Sequence, residues 1–142
     1  MAAAITILRA AVVPKTPNAF GFLRNSIQGS VIELGSEGAI IGRLESALQY
    51  AQYVEEGTRP RREIGASPPP VGPITLWARR KLQLTGDELD RAVFLIRMKI
   101  YNKGTKGARM FELGWKQEEA RVESLFDRAL DKIVDAIERE MF

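Results

Sequence analysis

The sequence predicts an α+β fold in which a β-hairpin or small antiparallel sheet is packed by helices, the last of them long. Three observations support this. A β-branched stretch over residues 26–44 carries a turn signal, apolar residues recur at helical spacing in the second half, and one apolar stripe runs through residues 114–141. The chain has 142 residues, 45% of them hydrophobic and 27% charged, which predicts a single domain over residues 1–142.

The N-terminal segment and the hairpin come first. Residues 1–20 are small and apolar and then punctuated by proline, which predicts a short helix or an N-terminal arm that packs on a neighbour or completes the chain's own core. Residues 26–44 predict the hairpin, because Gly29 disfavours a helix there. The Gly-Ser-Glu-Gly segment at residues 35–38 predicts its turn, and residues 39–41 begin the return strand.

The middle of the chain alternates helices with a loop. Residues 45–56 predict a short helix with Gly57 as its C-cap. Residues 59–73 contain five prolines in fifteen positions, which predicts a long proline-rich loop with no regular helix. Residues 74–83 predict the next helix, with Trp77 as a core residue or an interface anchor.

Two further helices complete the prediction. Thr85 and Glu88 have the spacing of a capping box before a helix that ends at Asn102-Lys103-Gly104. Residues 114–141 predict the longest helix, which at ~1.5 Å per residue spans roughly 40 Å. That length is large for a domain of this size, so part of its stripe is expected to contact a second chain. The stripe consists of Val122, Leu125, Phe126, Ala129, Leu130, Ile133, Val134, Ile137 and Met141.

The net charge of +3 conceals a segregation along the chain. Residues 1–58 carry a net charge of −1, residues 59–109 carry +8, and residues 110–142 carry −4. This pattern favours either packing between copies or a polyanion near the middle of the chain, and a dipolar surface with solvated faces is the alternative.

Several function classes conflict with the residue inventory. The chain has no Cys and no His, which excludes thiolate nucleophiles, histidine bases and zinc sites of the Cys/His kind. It has no glycine-rich phosphate loop, and the adjacent pairs Glu55–Glu56 and Glu118–Glu119 diverge on a helix. We therefore expect no enzyme activity and no catalytic, cofactor-binding or metal-binding residues. No apolar run approaches the ~20 residues of a bilayer span, so we expect no membrane partner.

Basic side chains predict a contact to DNA or to a partner. The candidates are Arg59, Arg61, Arg62, Lys103, Lys106 and Arg109. Such side chains contact phosphates, but the sequence interleaves few aromatic residues with them and shows no reading helix. The pattern therefore indicates contact without sequence specificity.

Two motifs carry a resemblance to a known family. Residues 50–60 read Tyr-Ala-Gln-Tyr-Val-Glu-Glu-Gly-Thr-Arg-Pro and resemble the Tyr-Ala-x-Tyr-Val-Glu-x-Gly-Thr-x-Pro signature of the HK97 gp10-like family of phage neck and tail-completion proteins. Residues 103–111 are similar to the Gly-Thr-x-Ala-x-Pro-Phe segment of that family, which leads into its C-terminal helix. Residues 21–27 resemble its Leu-Arg-x-Ser-Ile segment, and the order of the three segments is the family's order.

The resemblance implies a structural virion protein of a tailed bacteriophage. Such a protein forms a homo-oligomeric ring at the neck, the head–tail junction or the tail terminator, where it completes the tail and lets DNA pass. A homo-hexamer is favoured and a dodecamer is the alternative. Other neck or tail proteins are the implied partners, in the virion and in the host cytoplasm during assembly. A non-specific DNA-binding accessory protein is the alternative function.

The resemblance and the residue chemistry together predict a set of interface residues. Tyrosines suit an interface because the ring can be buried while the hydroxyl stays at a polar rim, although these tyrosines could instead close the core of the monomer. Either Glu55 or Glu56 could pair with a basic residue of the next subunit. The predicted interface residues are Tyr50, Tyr53, Glu55, Glu56, Gly57, Thr58, Gly104, Thr105 and Phe111.

Overall fold

The structure is a computed structural model, and it describes residues 1–18, 21–34 and 38–141. Within these ranges the chain has an α+β fold, with six helices and two two-stranded antiparallel sheets. The chain forms two compact units. Unit 1 comprises Met1–Thr16, Arg24–Ala47 and Met110–Phe142, and unit 2 comprises Pro17–Leu23 and Leu48–Arg109.

The elements follow one another with short connections apart from the proline-rich loop. In chain order they are α1 (Ala2–Lys15), α2 (Phe22–Ser26), β1 (Ile27–Leu34), β2 (Ala39–Ser46), α3 (Ala51–Glu56), β3 (Gly57–Thr58), α4 (Val71–Leu82), α5 (Gly86–Lys103), β4 (Thr105–Lys106) and α6 (Met110–Met141). No described helix combines the length and the hydropathy that crossing a bilayer requires.

Unit 1 contains the predicted hairpin. Strands β1 and β2 pair antiparallel, with Ile27 opposite Ser46 and Val31 opposite Gly42. The hairpin is confirmed, although its second strand runs to Ser46. The turn predicted at residues 35–38 lies outside the described residues except for Gly38.

Helix α1 decides between the two predictions for residues 1–20, a short helix or an N-terminal arm, in favour of the helix. Residues 2–15 are helical and pack on the hairpin and on α6, so this segment completes the core of its own unit. Alanine-rich sequence favours the helix, which ends at Lys15, one residue after Pro14. The Arg9 Nε donates to the Ile27 carbonyl at 2.9 Å and ties α1 to the start of β1. Residues 19 and 20 lie outside the described residues.

Helix α6 begins at Met110, four residues before the predicted start at residue 114. Its 32 residues span about 48 Å at ~1.5 Å per residue. Gly114 lies against Val12 of α1, so closely that a Cβ at Gly114 would stand 2.5 Å from the Val12 Cγ2. Val122 is also buried, whereas the helix beyond it is exposed. The part of α6 from Met110 to Val122 therefore contributes to the core of unit 1.

Unit 2 is built around the packing of α4 on α5. Ala78, Leu89 and Val93 form its buried cluster, and the half-buried Ile74 and Leu84 pack against it. Leu89 and Val93 lie four residues apart on α5, which places them on one face of the helix, and both are buried. Trp77 is 38% exposed and is not part of that cluster.

Two local predictions between residues 45 and 73 were wrong. The short helix predicted over residues 45–56 begins only at Ala51, because β2 continues to Ser46. The proline-rich loop predicted over residues 59–73 ends at Pro70, and α4 begins at Val71. Pro73 falls in the first turn of α4, where a backbone N–H would have no acceptor within the helix. Because proline has no N–H, it fits this position without loss of a hydrogen bond.

The capping box predicted at Thr85 does not form. Thr85 is the N-cap of α5, but its side chain makes no capping hydrogen bond. The far end of the same helix agrees with the prediction, since α5 ends at Lys103 and Gly104 follows with φ of 71°.

Candidate functional site

The two Gly-Thr segments of the sequence pair with each other in unit 2. Strand β3 runs antiparallel to β4, with Gly57 opposite Lys106 and Thr58 opposite Thr105. The hydroxyls of Thr58 and Thr105 lie 2.8 Å apart, and the Thr105 backbone N–H donates to the Thr58 Oγ1 at 3.1 Å. The structure thus joins two motifs that the sequence separates by 47 residues.

Further backbone bonds extend this pairing toward α3. The Ala108 N–H donates to the Val54 carbonyl at 2.7 Å, and the Arg109 N–H donates to the Glu55 carbonyl at 3.0 Å. The last carbonyls of a helix have no partner within it, so the second segment satisfies two acceptors at the end of α3. We call residues 54–58 and 104–109 together the Gly-Thr clasp.

Three glycines of the clasp lie too close to the opposite backbone for a side chain, and two of them also have a positive φ. A Cβ at Gly107 would stand 2.3 Å from the Glu55 carbonyl oxygen. Gly57 has φ of 83°, and a Cβ there would stand 2.3 Å from the Thr105 carbonyl oxygen. Gly104 has φ of 71°, and a Cβ there would stand 2.0 Å from the Thr58 carbonyl oxygen. Both the left-handed backbone and the close approach exclude a side chain. The Gly57 C-cap is confirmed.

A groove opens beside the clasp within unit 2, with a cavity volume of about 750 Å³. Its apolar lining comes from α3, the proline-rich loop, α4 and α5. These lining residues are Tyr53, Ile64, Pro69, Pro70, Pro73, Ile74 and Ile100. Its polar lining residues are Gln52, Glu56, Thr58, Arg59, Arg61 and Thr105. We call this cavity the proline groove.

The loop that walls the proline groove is tied down by hydrogen bonds. The Arg61 Nε donates to the Ser67 carbonyl at 2.6 Å, and the Arg62 N–H donates to the Tyr101 carbonyl at 3.1 Å. The Arg97 Nε donates to the Pro69 carbonyl at 2.7 Å, and Pro69 itself is buried. The groove is therefore a preformed feature of unit 2, since its wall is bonded across to α5.

The two predicted interface tyrosines lie on different cavities. Tyr53 is 63% exposed and lines the proline groove. Tyr50 is 44% exposed and lines a second cavity of about 490 Å³ in the same unit, together with Phe22 and Trp77. Because both tyrosines are exposed, they do not serve to close the core of the monomer.

The remaining predicted site residues divide between the clasp, the groove and the other unit. Glu55 and Arg109 meet through the backbone in the clasp, which also contains Lys106. Lys103 is the last residue of α5, directly before the clasp. Phe111 belongs to unit 1, where it is the second residue of α6.

The basic side chains predicted to contact DNA or a partner reach solvent to different extents. Arg59 and Arg62 are exposed and Arg61 is half-buried, and of these three Arg59 and Arg61 line the proline groove. The second set is exposed and consists of Lys103, Lys106 and Arg109. Among the residues that the structure describes, no group of three or more acidic side chains comes together as a metal site.

Sequence reasoning missed the apolar part of the proline groove. The prediction of a loop over residues 59–73 gave no role to Ile64, Pro69 and Pro70, and the prediction of the next two helices gave none to Ile74 and Ile100. One signal was present, because Ile64 and Ile74 are apolar residues at either end of a segment whose prolines prevent regular structure.

Comparisons with models of protein families, with curated proteins and with solved structures found no match for this chain.

Proposed function

We propose that this chain is a structural virion protein of a tailed bacteriophage that assembles with copies of itself into a ring at the neck, the head–tail junction or the tail end. The ring completes the tail and leaves a passage for DNA. A homo-hexamer is the favoured assembly and a dodecamer the alternative. The chain acts in assembly and transforms no substrate.

The Gly-Thr clasp is the observation that supports this proposal most. Both motifs that resemble the phage neck and tail-completion family contribute to it, and each supplies a glycine that the other's backbone requires. If the two segments resembled the family only by chance, we would not expect them to be hydrogen-bonded to each other in the fold. Their mutual dependence supports a common ancestry of the motifs with that family, and hence a role in assembly.

The exposed half of α6 supports self-assembly independently of the resemblance. The described residues from Glu123 to Met141 are all exposed apart from the half-buried Leu125. Leu130 is 60% exposed and Met141 70% exposed. A contiguous exposed apolar face on a small protein marks an interaction site, since monomeric proteins rarely leave such a face in water.

A ring requires that each copy present two different surfaces. Contacts of this head-to-tail kind close into rings when the rotation between copies permits. The basic stretch of residues 59–109 and the acidic stretch of residues 110–142 provide surfaces of opposite charge. Other neck or tail proteins would bind the completed ring in the virion, after assembly in the host cytoplasm.

The mass of the purified full chain in solution tests the proposal. Light scattering coupled to size-exclusion chromatography should give six or twelve times the 15.9 kDa of one chain, and electron microscopy should show rings. A monomer that neither assembles at high concentration nor joins purified tails would contradict the proposal.

A non-specific DNA-binding accessory protein is the second candidate function. The observation that favours it is the set of exposed basic residues at 59, 62, 103, 106 and 109. Binding of this kind depends on counterion release, so the affinity for duplex DNA would fall steeply as the salt concentration rises. A monomer that binds duplex DNA tightly at low salt would support this candidate over the ring.

A further inference from the structure

The exposed half of α6 has an apolar face bordered by carboxylates. At ~100° per residue, its exposed apolar side chains fall within an arc of about 100°. They are Phe126, Leu130, Ile133, Val134, Ile137 and Met141. Asp127 and Glu138 border this arc on one edge and Glu140 borders it on the other, and Glu123 falls within it at the start of the exposed half. Arg128 and Lys132 fall on the far side of the helix.

The breadth of this apolar face bears on what covers it. An arc of about 100° is typical of a helix that packs into a core or a groove, whereas a two-stranded coiled coil uses a narrower seam. Pairing of α6 with another α6 would also bring together two segments of like charge, because residues 123–141 contain six acidic and three basic residues. Both observations favour a basic groove as the partner of this face.

The proline groove has the chemistry that such a helix needs. Its apolar lining includes Tyr53, Ile64 and Ile74. Its charged lining residues are Arg59, Arg61 and Glu56, so the arginines outnumber the carboxylate. Ile64 and Tyr53 are each 63% exposed, so the apolar lining is open to solvent. Residues 59–109, the stretch of sequence that supplies most of the lining, carry a net charge of +8, against −3 for residues 123–141 of α6.

We propose that the exposed half of α6 from one copy of this chain docks in the proline groove of a second copy. This inference rests on the proposed function in one respect, namely that the chain assembles with itself. The apolar face of α6 covers the prolines and isoleucines of the groove, and the bordering carboxylates approach Arg59 and Arg61. Burial of apolar side chains supplies the affinity, and the charges select the groove over a second α6.

The absence of cysteine from the chain allows a direct test by disulfide trapping. Ile133→Cys on the α6 face and Ile64→Cys in the groove are made in separate chains that carry tags of different mass. After mixing and mild oxidation, the mixed disulfide dimer should be the main product on a non-reducing gel. The matched control is Ser124→Cys, which is exposed on the opposite face of α6 and should give at least fivefold less mixed dimer with Ile64→Cys.

A charge reversal gives a second readout that does not depend on disulfide geometry. Asp127→Lys borders the apolar face, and Asp135→Lys makes the same charge change on the far side of the helix. Sedimentation measures the dissociation constant of self-association. Asp127→Lys should raise this constant at least fivefold, and Asp135→Lys should leave it within twofold of the original. Combining Arg59→Glu with Asp127→Lys should restore part of the lost affinity.

The outcomes separate this inference from the proposed function. The chain could form rings while Ile133→Cys and Ser124→Cys give equal amounts of mixed dimer and Asp127→Lys has no effect on self-association. That result would overturn the docking but not the proposed ring. Trapping of Ile133→Cys with itself would also overturn the docking, in favour of α6 pairing. A chain that stays monomeric would overturn both the docking and the proposed ring. If duplex DNA protects Arg59 from chemical modification, DNA occupies the groove, which would overturn the docking in favour of the accessory function.

Discussion

The side-chain hydroxyls of Thr58 and Thr105 lie 2.8 Å apart, although 47 residues separate them in the chain. The Thr58 hydroxyl also accepts the backbone N–H of Thr105. One side chain therefore satisfies both a hydroxyl and an amide of the opposite strand, in a sheet of only two residues per strand. Sheets this short gain little from their own ladder, so the side-chain bonds are a large part of what holds the clasp.

Removal of the Thr58 hydroxyl should loosen the clasp. Thr58→Val keeps the shape of the side chain but leaves the Thr105 amide without this acceptor, and we expect a loss of about 1 kcal/mol in the free energy of unfolding. Hydrogen exchange at the Thr105 amide should accelerate. Thr75→Val is the control, because the Thr75 hydroxyl donates to the Val71 carbonyl of its own helix at 3.0 Å and so lies outside the clasp. Equal effects of the two variants would count against a special role for Thr58.

Substitution of the clasp glycine should be far more costly than substitution of a glycine in a helix. Gly104→Ala forces a side chain onto a left-handed backbone and against the Thr58 carbonyl, and we expect a loss of about 2 kcal/mol or more. Gly72→Ala adds a methyl group in α4 where no atom of a more distant residue lies within 4 Å. We expect a change of less than about 0.5 kcal/mol, because the gain in helix propensity opposes the crowding of the new Cβ against Pro73. Urea denaturation of both variants measures the contrast. An unchanged free energy of unfolding in Gly104→Ala would mean that the clasp can open without loss of stability.

The contact between Gly114 and Val12 should show as coupling between two substitutions. Gly114→Ala introduces a Cβ at 2.5 Å from the Val12 Cγ2, which forces α1 and α6 apart. Val12→Ala removes that methyl group, so the double variant should be about 1 kcal/mol more stable than the sum of the single effects predicts. Thermal unfolding of the four proteins measures the coupling. Additive effects would show that α6 adjusts without contact at Val12.

The exposed Tyr53 should matter for assembly and little for folding. Tyr53→Ala removes an aromatic ring from the proline groove, and because the ring is 63% exposed the free energy of unfolding should change by less than about 0.5 kcal/mol. Self-association measured by light scattering should weaken at least tenfold. Leu76→Ala serves as the control, since Leu76 is also exposed on unit 2 but lines neither of the two cavities described above. Similar weakening in both variants would show that Tyr53 has no specific role.

Helix α6 and the hairpin could be predicted from the sequence because both depend on local periodicity. The β-branched residues around Val31 and the stripe from Val122 onward each specify their element without help from distant residues. Element ends were less accurate. Pro73 predicts a loop, but residues in the first turn of α4 have no helical acceptor for a backbone N–H, so proline fits there. The spacing of Thr85 and Glu88 predicts a capping box, which does not form at the backbone around Gly86, where φ is 59°.

The clasp and the proline groove could not be predicted because both depend on pairing between distant segments. Nothing local in residues 57–58 or 105–106 specifies the other as its strand partner. Resemblance to a family marked the two segments as important, but it did not place them side by side. The groove needed the same long-range information, since Ile64, Ile74 and Ile100 come from a loop and two helices.

Unit 1 is discontinuous, because the whole of residues 48–109 is inserted between its hairpin and α6. A ribosome therefore releases α1 and the hairpin first, then the complete unit 2, and only afterwards the helix that covers α1. Domains generally begin to fold as they emerge, so unit 2 can fold early while α1 waits for α6. Polypeptides interrupted during translation before residue 110 would expose the α1 face that α6 otherwise covers, which would make them substrates for chaperones and proteases.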